Sequence, residues 1–169
     1  MEKYYLKQLN TDMGKEEYLM YQDIPAVEPG SHNLCKGITY ELFPTFIERE
    51  IARQYQIINQ YDTPVKIYIM YVNDYPVGMI GLRTELDDNW EKWSGNFYFV
   101  IRLSERGKGY GNKILELGLI KFKKWGYQTI LGQASANNIK SAKVIENNGG
   151  VLYKEENGSK YYKISIDNI

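Results

Sequence analysis

Apolar and polar positions alternate weakly over residues 3–9, which predicts a first strand. Asp12 is placed to cap a short helix running to about Tyr21, ahead of Pro25. Pro25, Pro29, Gly30, Ser31, Asn33 and Gly37 then mark residues 25–37 as a loop. Residues 38–59 carry helical spacing interrupted at Pro44. The second part opens with Thr45 and Glu48 at capping-box spacing, and Phe46, Ile47, Ile51, Ala52, Tyr55 and Ile58 follow at helical intervals.

The period changes after Pro64. Val65–Val72 and Pro76–Arg83 are apolar runs around Asn73-Asp74-Tyr75, a hairpin signal. A polar, acidic connection over 84–95 leads to the strand-like run Phe97–Ile101. Next, a glycine-rich turn opens a helix in which Gly111, Leu115, Leu119 and Phe122 share one face, with Lys121, Lys123 and Lys124 at the favourable C-terminal end. Gly126 ends that helix, and Tyr127–Gln133 predicts another strand. Asn138 caps a helix to about Asn147, which Gly149-Gly150 stop. Val151–Glu156 and Lys160–Ile166 flank Asn157-Gly158, a strong hairpin turn. With no linker or repeat, residues 1–169 predict one α/β domain around a mixed sheet.

Composition agrees. Of the 169 residues, 43% are hydrophobic and 24 are Tyr, Phe or Trp, enough apolar surface for a folded core. No 18-residue apolar run predicts a membrane span, and Met1-Glu2-Lys3-Tyr4-Tyr5 does not read as a signal peptide. The single cysteine, Cys35, cannot form an internal disulfide, and with one histidine, His32, no cysteine or histidine metal cluster is expected. A cytoplasmic location is expected.

Net charge is zero but unevenly spread. Residues 11–50 hold eight acidic and three basic residues, and residues 102–143 hold nine basic and two acidic ones. A nucleic-acid-binding domain would carry an overall positive excess, so a localised anion site is the better explanation of the basic stretch. The acidic stretch suits a cationic second ligand, or the two stretches are solvated faces of opposite bias.

The turn Arg106-Gly107-Lys108-Gly109-Tyr110-Gly111 follows a strand and opens a helix. Helix-opening amides lack intrahelical partners and can converge on phosphate. The spacing is not the nucleotide-binding Walker pattern, because Gly111-Asn112-Lys113 does not supply Gly-Lys-Ser/Thr, and the dinucleotide fingerprint is incomplete.

Strand, Arg106-x-x-Gly109-x-Gly111 and helix, followed by Asn138-x-x-Ser141 and Val144-Ile145-Glu146-Asn147-Asn148-Gly149-Gly150, resemble the core motifs of the GNAT family of N-acetyltransferases. Within that family the chain resembles a bacterial branch of predicted acetyltransferases. The resemblance implies a mostly antiparallel seven-stranded sheet, splayed between its fourth and fifth strands and flanked by about four helices. It places acceptor-side helices in 11–60 and an acetyl-CoA-binding core in 96–155. Acetyl-CoA would be the co-substrate, and an amine would attack it directly in a ternary complex. The diphosphate would lie on the amides of Gly107, Lys108, Gly109, Tyr110 and Gly111 beside Arg106. Backbone groups of Ile101 and Leu103 would hold the pantetheine, with the Ile101 N–H as oxyanion donor. Asn138 and Ser141 would contact the cofactor arm or orient the last helix, and Asn138 is equally well explained as a cap.

Two positions depart from the family pattern. Ile145 stands where a tyrosine often serves as thiolate acid, leaving Ser141, Tyr98, Tyr110 and Tyr153 as substitutes. The residue before the glycine-rich loop, commonly proline, is Leu103. For a base, Glu85, Asp87, Asp88 and Glu91 could rim the acceptor entrance, His32 is a candidate by residue type, and Glu28 and Glu41 could line the same region. Cys35 lies away from the cofactor core and is not the expected nucleophile. The resemblance also makes a homodimer an expectation. A non-catalytic acyl-CoA-binding module on the same fold is the alternative.

Overall fold

The middle of the chain builds the sheet on which the helices pack. The computed structural model describes the chain apart from residues 1, 29–30, 56–63, 87, 89–94 and 168. In order come β1 (Tyr4–Gln8), α1 (Lys15–Asp23), the two-residue strands β2 (Val27–Glu28) and β3 (Ser31–His32), and α2 (Phe43–Ala52). They are followed by β4 (Val65–Val72), β5 (Tyr75–Arg83), β6 (Phe97–Ile101), α3 (Tyr110–Lys124), β7 (Thr129–Ser135), α4 (Ile139–Asn147), β8 (Gly150–Glu156) and β9 (Ser159–Ser165). Seven strands form the main sheet, divided between β6 and β7 into β1-β4-β5-β6 and β7-β9-β8. Each of these pairings is antiparallel.

Turn chemistry fixes both long hairpins. Asn73 and Asp74 have φ of 49° and 65°, and Asn157 and Gly158 have φ of 50° and 75°. Paired positive φ values match the right-handed twist of the flanking strands. β4 is buried along nearly its whole length because it is covered on both faces. One face, with Met70, Ile80, Leu82 and Phe97, packs under α3 and α4 through Ile114, Leu115, Phe122 and Ile145. The other, with Ile67, Ile69, Tyr71 and Val100, packs under α1 and α2 through Met20, Tyr21, Phe43 and Ile47.

Local boundaries differ from the pattern-based expectation in the N-terminal half. Asp12 does not cap α1. Its N–H bonds Asn10 Oδ1 at 2.8 Å in a turn, and Gly14 takes the cap position with its N–H on Glu17 Oε2 at 2.7 Å. Pro44 does not interrupt a helix: it sits in the first turn of α2, where its missing N–H costs nothing, and Thr45 is inside the helix rather than its cap. The expected loop over 25–37 contains the small β2–β3 hairpin. Ile58, Pro29, Gly30, Asp87 and Glu91 lie outside the described residues.

Candidate functional site

A single asparagine sets where the two halves of the sheet part. The Asn96 N–H donates to Leu131 O at 2.8 Å, while its side-chain Oδ1 accepts from Leu131 N at 2.7 Å. On the other side Asn96 O accepts from Arg83 N at 2.7 Å and Nδ2 donates to Arg83 O at 3.1 Å. Gly95 bridges Gly132, and a Cβ at Gly95 would fall 2.4 Å from Leu131 O. From this pivot β6 and β7 diverge.

The ladder register decides what faces the opening. Arg102 N donates to Val77 O at 3.0 Å, flanking the Gly78/Ile101 pair. That pair, Ile80/Phe99 and Leu82/Phe97 are therefore the non-hydrogen-bonded pairs of this antiparallel ladder. The backbone N–H and C=O groups of Phe99 and Ile101 consequently point away from β5, into the gap. The Ile101 carbonyl accepts from Arg106 Nε at 2.9 Å, and the Ile101 N–H has no protein acceptor among the described residues.

At the open end the chain makes a short 3-10 turn, Leu103–Glu105, and enters the glycine loop. Gly107 and Gly109 have φ of 82° and 83°, in the left-handed region where L side chains are strained. No atom lies within 4 Å of a Cβ built at either, so backbone conformation, not crowding, selects glycine there. The result is five consecutive N–H groups, Gly107 to Gly111, without protein acceptors among the described residues. They open α3, whose dipole adds to their attraction for an anion.

The loop borders a cleft of about 310 Å³, lined among others by Phe99, Ile101, Arg106, Asn138, Ser141 and Val144. Asn138 caps α4, its Oδ1 accepting from Ser141 N at 3.1 Å, and so presents the Ser141 side chain at the cleft. Lys140, in the first turn of α4, lines the same cleft and has no ion-pair partner among the described residues. Lys140, the Phe99 backbone and the Asn96 pivot went unnoticed in the sequence. Only the alternation of β6 signalled Phe99, and nothing local marks Asn96.

Other predicted residues are not brought together here. Tyr98 faces the opposite side of β6, its ring over Gly81 and under Arg83, 5.0 Å from Cζ, and burial pushes its phenol up. Glu85 is exposed beyond the far end of β5, beside Tyr127, whose phenol is raised by burial and by the Glu85 carboxylate. His32 is exposed on β3 opposite Val27 and does not line the cleft. Lys108 pairs with Glu105 at 2.8 Å, and Leu103 is half exposed; neither side chain lines the cleft. Tyr110 borders the cleft, but its ring turns to Tyr4 and its phenol feels Glu2. Tyr153 lies against Tyr161 on β8–β9, the rings tilted by 55°. Ile145 is core, 1% exposed. Cys35 is fully buried, its thiol pushed up to about 12 by burial, so it stays protonated near neutrality.

The acidic and basic stretches meet each other. Asp23, at the end of α1, accepts from Arg102 Nε at 2.8 Å, Ser104 Oγ at 2.6 Å and Ser104 N at 3.2 Å. Burial alone would raise the Asp23 carboxyl, but these donors outweigh it and hold the pKa below the usual value. Glu28 Oε1 pairs with Arg106 Nη2 at 2.8 Å. Two of the carboxylates that suggested a cationic ligand are thus already matched by arginines.

A glycine-loop amide nest beside a splayed sheet is the architecture of an acyl-CoA acetyltransferase. The sequence matches the Acetyltransferase (GNAT) family over residues 35–149, and the chain belongs to that family. Solved structures share the fold. PseH, a Campylobacter jejuni N-acetyltransferase solved with acetyl coenzyme A, aligns with a TM-score of 0.61 over 96% of this chain and 99% of its own, at 14% identity. RimL, a ribosomal L7/L12 alpha-N-protein acetyltransferase solved with coenzyme A, gives 0.69 over 98% and 96%, at 14% identity. A chimera of the spermidine N-acetyltransferase SpeG from Vibrio cholerae and hSSAT gives 0.63 over 98% and 96%, at 15% identity. No curated protein sequence matches the chain. Among the described residues no helix is long and apolar enough to cross a membrane, and no cluster of His, Cys, Asp and Glu could hold a metal.

Proposed function

We propose that this protein transfers the acetyl group of acetyl-CoA to a primary amine of a small molecule or peptide, the amine attacking directly in a ternary complex. The observation that carries this is the run of five unpaired amides, Gly107–Gly111, at the mouth of a cleft whose inner wall presents the Ile101 N–H. Those donors fit acetyl-CoA: the amides and Lys140 suit a diphosphate, and Ile101, Phe99 and Asn138 offer backbone and amide groups to a pantetheine arm. The bound thioester supplies an activated acyl carbon.

The chain's own groups then have defined tasks. The Ile101 N–H donates to the thioester carbonyl oxygen as negative charge develops there. Ser141 places a hydroxyl in the cleft: it gives its proton to the departing thiolate and takes in exchange the proton that the attacking nitrogen loses, the task that buried Ile145 cannot perform. Phe99 and Val144 keep the reacting end dry. Residues 96–155 serve the cofactor and 11–60 the acceptor. The test is an amine panel of polyamines, amino acids, aminoglycosides and peptides with free N-termini, read by release of free CoA thiol. Release requiring both substrates is the expected result. Thiol release that is equal with and without every amine would contradict transfer.

A further inference from the structure

Two acid–base pairs tie the N-terminal half to the segment after β6, and they are built differently. The Asp23–Arg102 pair is a fixed joint. Its arginine side chain is 9% exposed, also donates to Pro76 O at 3.3 Å, and lies 5.0 Å from the Tyr75 ring. The Glu28–Arg106 pair is a single contact between side chains 24% and 36% exposed, at the mouth of the cleft. Arg106 is anchored through Nε on Ile101 O at 2.9 Å, which leaves its outer edge for an anion in the cleft that the amide nest also lines. That edge now holds a carboxylate.

We propose that Glu28 is a displaceable internal anion: it holds Arg106 in the ligand-free protein and gives it up when acetyl-CoA binds, an inference that rests on the function proposed above. A diphosphate on the amides of Gly107–Gly111 brings negative charge next to the Glu28 carboxylate, and like charges this close repel. Arg106 is a cation that both anions can pair with, beside Lys140 on the facing wall of the cleft. Glu28 sits on the β2–β3 hairpin, whose base is pinned independently. Asn33 N bonds Ala26 O at 2.9 Å, and Asn33 Nδ2 bonds Tyr21 O at 2.7 Å and Ile24 O at 3.0 Å. Among the described residues, Glu28 is the side-chain tie between that hairpin and the cofactor side. Its release therefore frees the hairpin about a fixed base. Cofactor binding and opening of the acceptor side become one event, with the Glu28 carboxylate delivered to the acceptor side.

Hydrogen exchange and binding test this without any acceptor. In the wild-type protein, saturating acetyl-CoA should slow exchange at 107–111 and accelerate it at Val27, Glu28, Ser31 and His32. Slowing at both segments would overturn the exchange of partners. Glu28→Gln, its fold checked by circular dichroism, removes the competing charge and should bind acetyl-CoA about three- to tenfold more tightly, because the ligand-competent state is no longer a minority. A merely structural ion pair predicts the opposite sign. Equal or weaker binding by Glu28→Gln, with the wild type binding normally, would overturn this inference alone. A folded wild type that does not bind acetyl-CoA would overturn the proposed function as well.

Discussion

The proposed cofactor side and the proposed acceptor side of this molecule are made in different ways. Around α3 and α4 the working groups are backbone atoms: five loop amides, the outward edge of β6, a capped helix start. Around α1, β2–β3 and α2 the geometry rests on side chains that reach across the chain, Asp23 to Arg102 and Glu28 to Arg106, 79 and 78 residues apart. A backbone site tolerates drift in side-chain identity as long as turns and caps persist. A side-chain site changes its meaning with each substitution, so one fold can keep a cofactor while its acceptor changes.

The comparison is best broken at its hinge. Asn96→Ala removes the side-chain acceptor of Leu131 N, in a part-buried setting, and the side-chain donor to Arg83 O, in a buried one. Stability should fall by about 3 kcal/mol, since one buried and one part-buried hydrogen bond are lost, measured as a lower urea midpoint; a loss below about 1 kcal/mol would show that the halves are held elsewhere. Next, Gly109→Trp should weaken acetyl-CoA binding at least about thirtyfold, by strain at positive φ and by covering the amides. The fold should survive, because nothing lies within 4 Å of a Cβ there. Unchanged affinity in calorimetry would remove the loop from the site.

On the proposed acceptor side, Asp23→Asn should cost about 1–2 kcal/mol, as a charge-assisted contact. The folded Asp23 pKa is depressed, so its contribution is present above the unfolded value and lost as pH falls through the lower folded one. The stability gap between wild type and variant should therefore close only below about pH 4, visible in denaturant titrations at stepped pH. A gap independent of pH would exclude the carboxylate as its source. Ser141→Ala should lower kcat about a hundredfold, as expected for loss of a proton donor, while the acetyl-CoA Kd changes less than about twofold. Equal losses in kcat and affinity would make Ser141 a binding group. The smallest effect is at Cys35, where folded protein should resist iodoacetamide at pH 8; rapid alkylation would contradict the buried, protonated thiol.

What the sequence disclosed follows the same division. Glycine spacing, Asn138 as a cap and the hairpin turns are local signals, and the loop, α3, α4 and both long hairpins were legible from them. The pivot at Asn96 was not, because its partners Arg83 and Leu131 are distant in the chain and an asparagine after a glycine suggests only a turn. Tyr98 was misplaced by one step of strand alternation, which sends odd residues of β6 to the cofactor side and Tyr98 to the other. Pro44 and Asp12 were read by type where position decides: proline starts α2, and the Asn10 turn occupies Asp12. The charged stretches were visible, but their mutual pairing needed the fold.

The central claim is that backbone amides at 107–111 form an acetyl-CoA site. Calorimetric titration of the folded chain with acetyl-CoA at moderate salt tests it most directly. Saturable binding near one equivalent per chain, weakening as salt rises, is the predicted result. Absence of saturable binding by a demonstrably folded protein would contradict it.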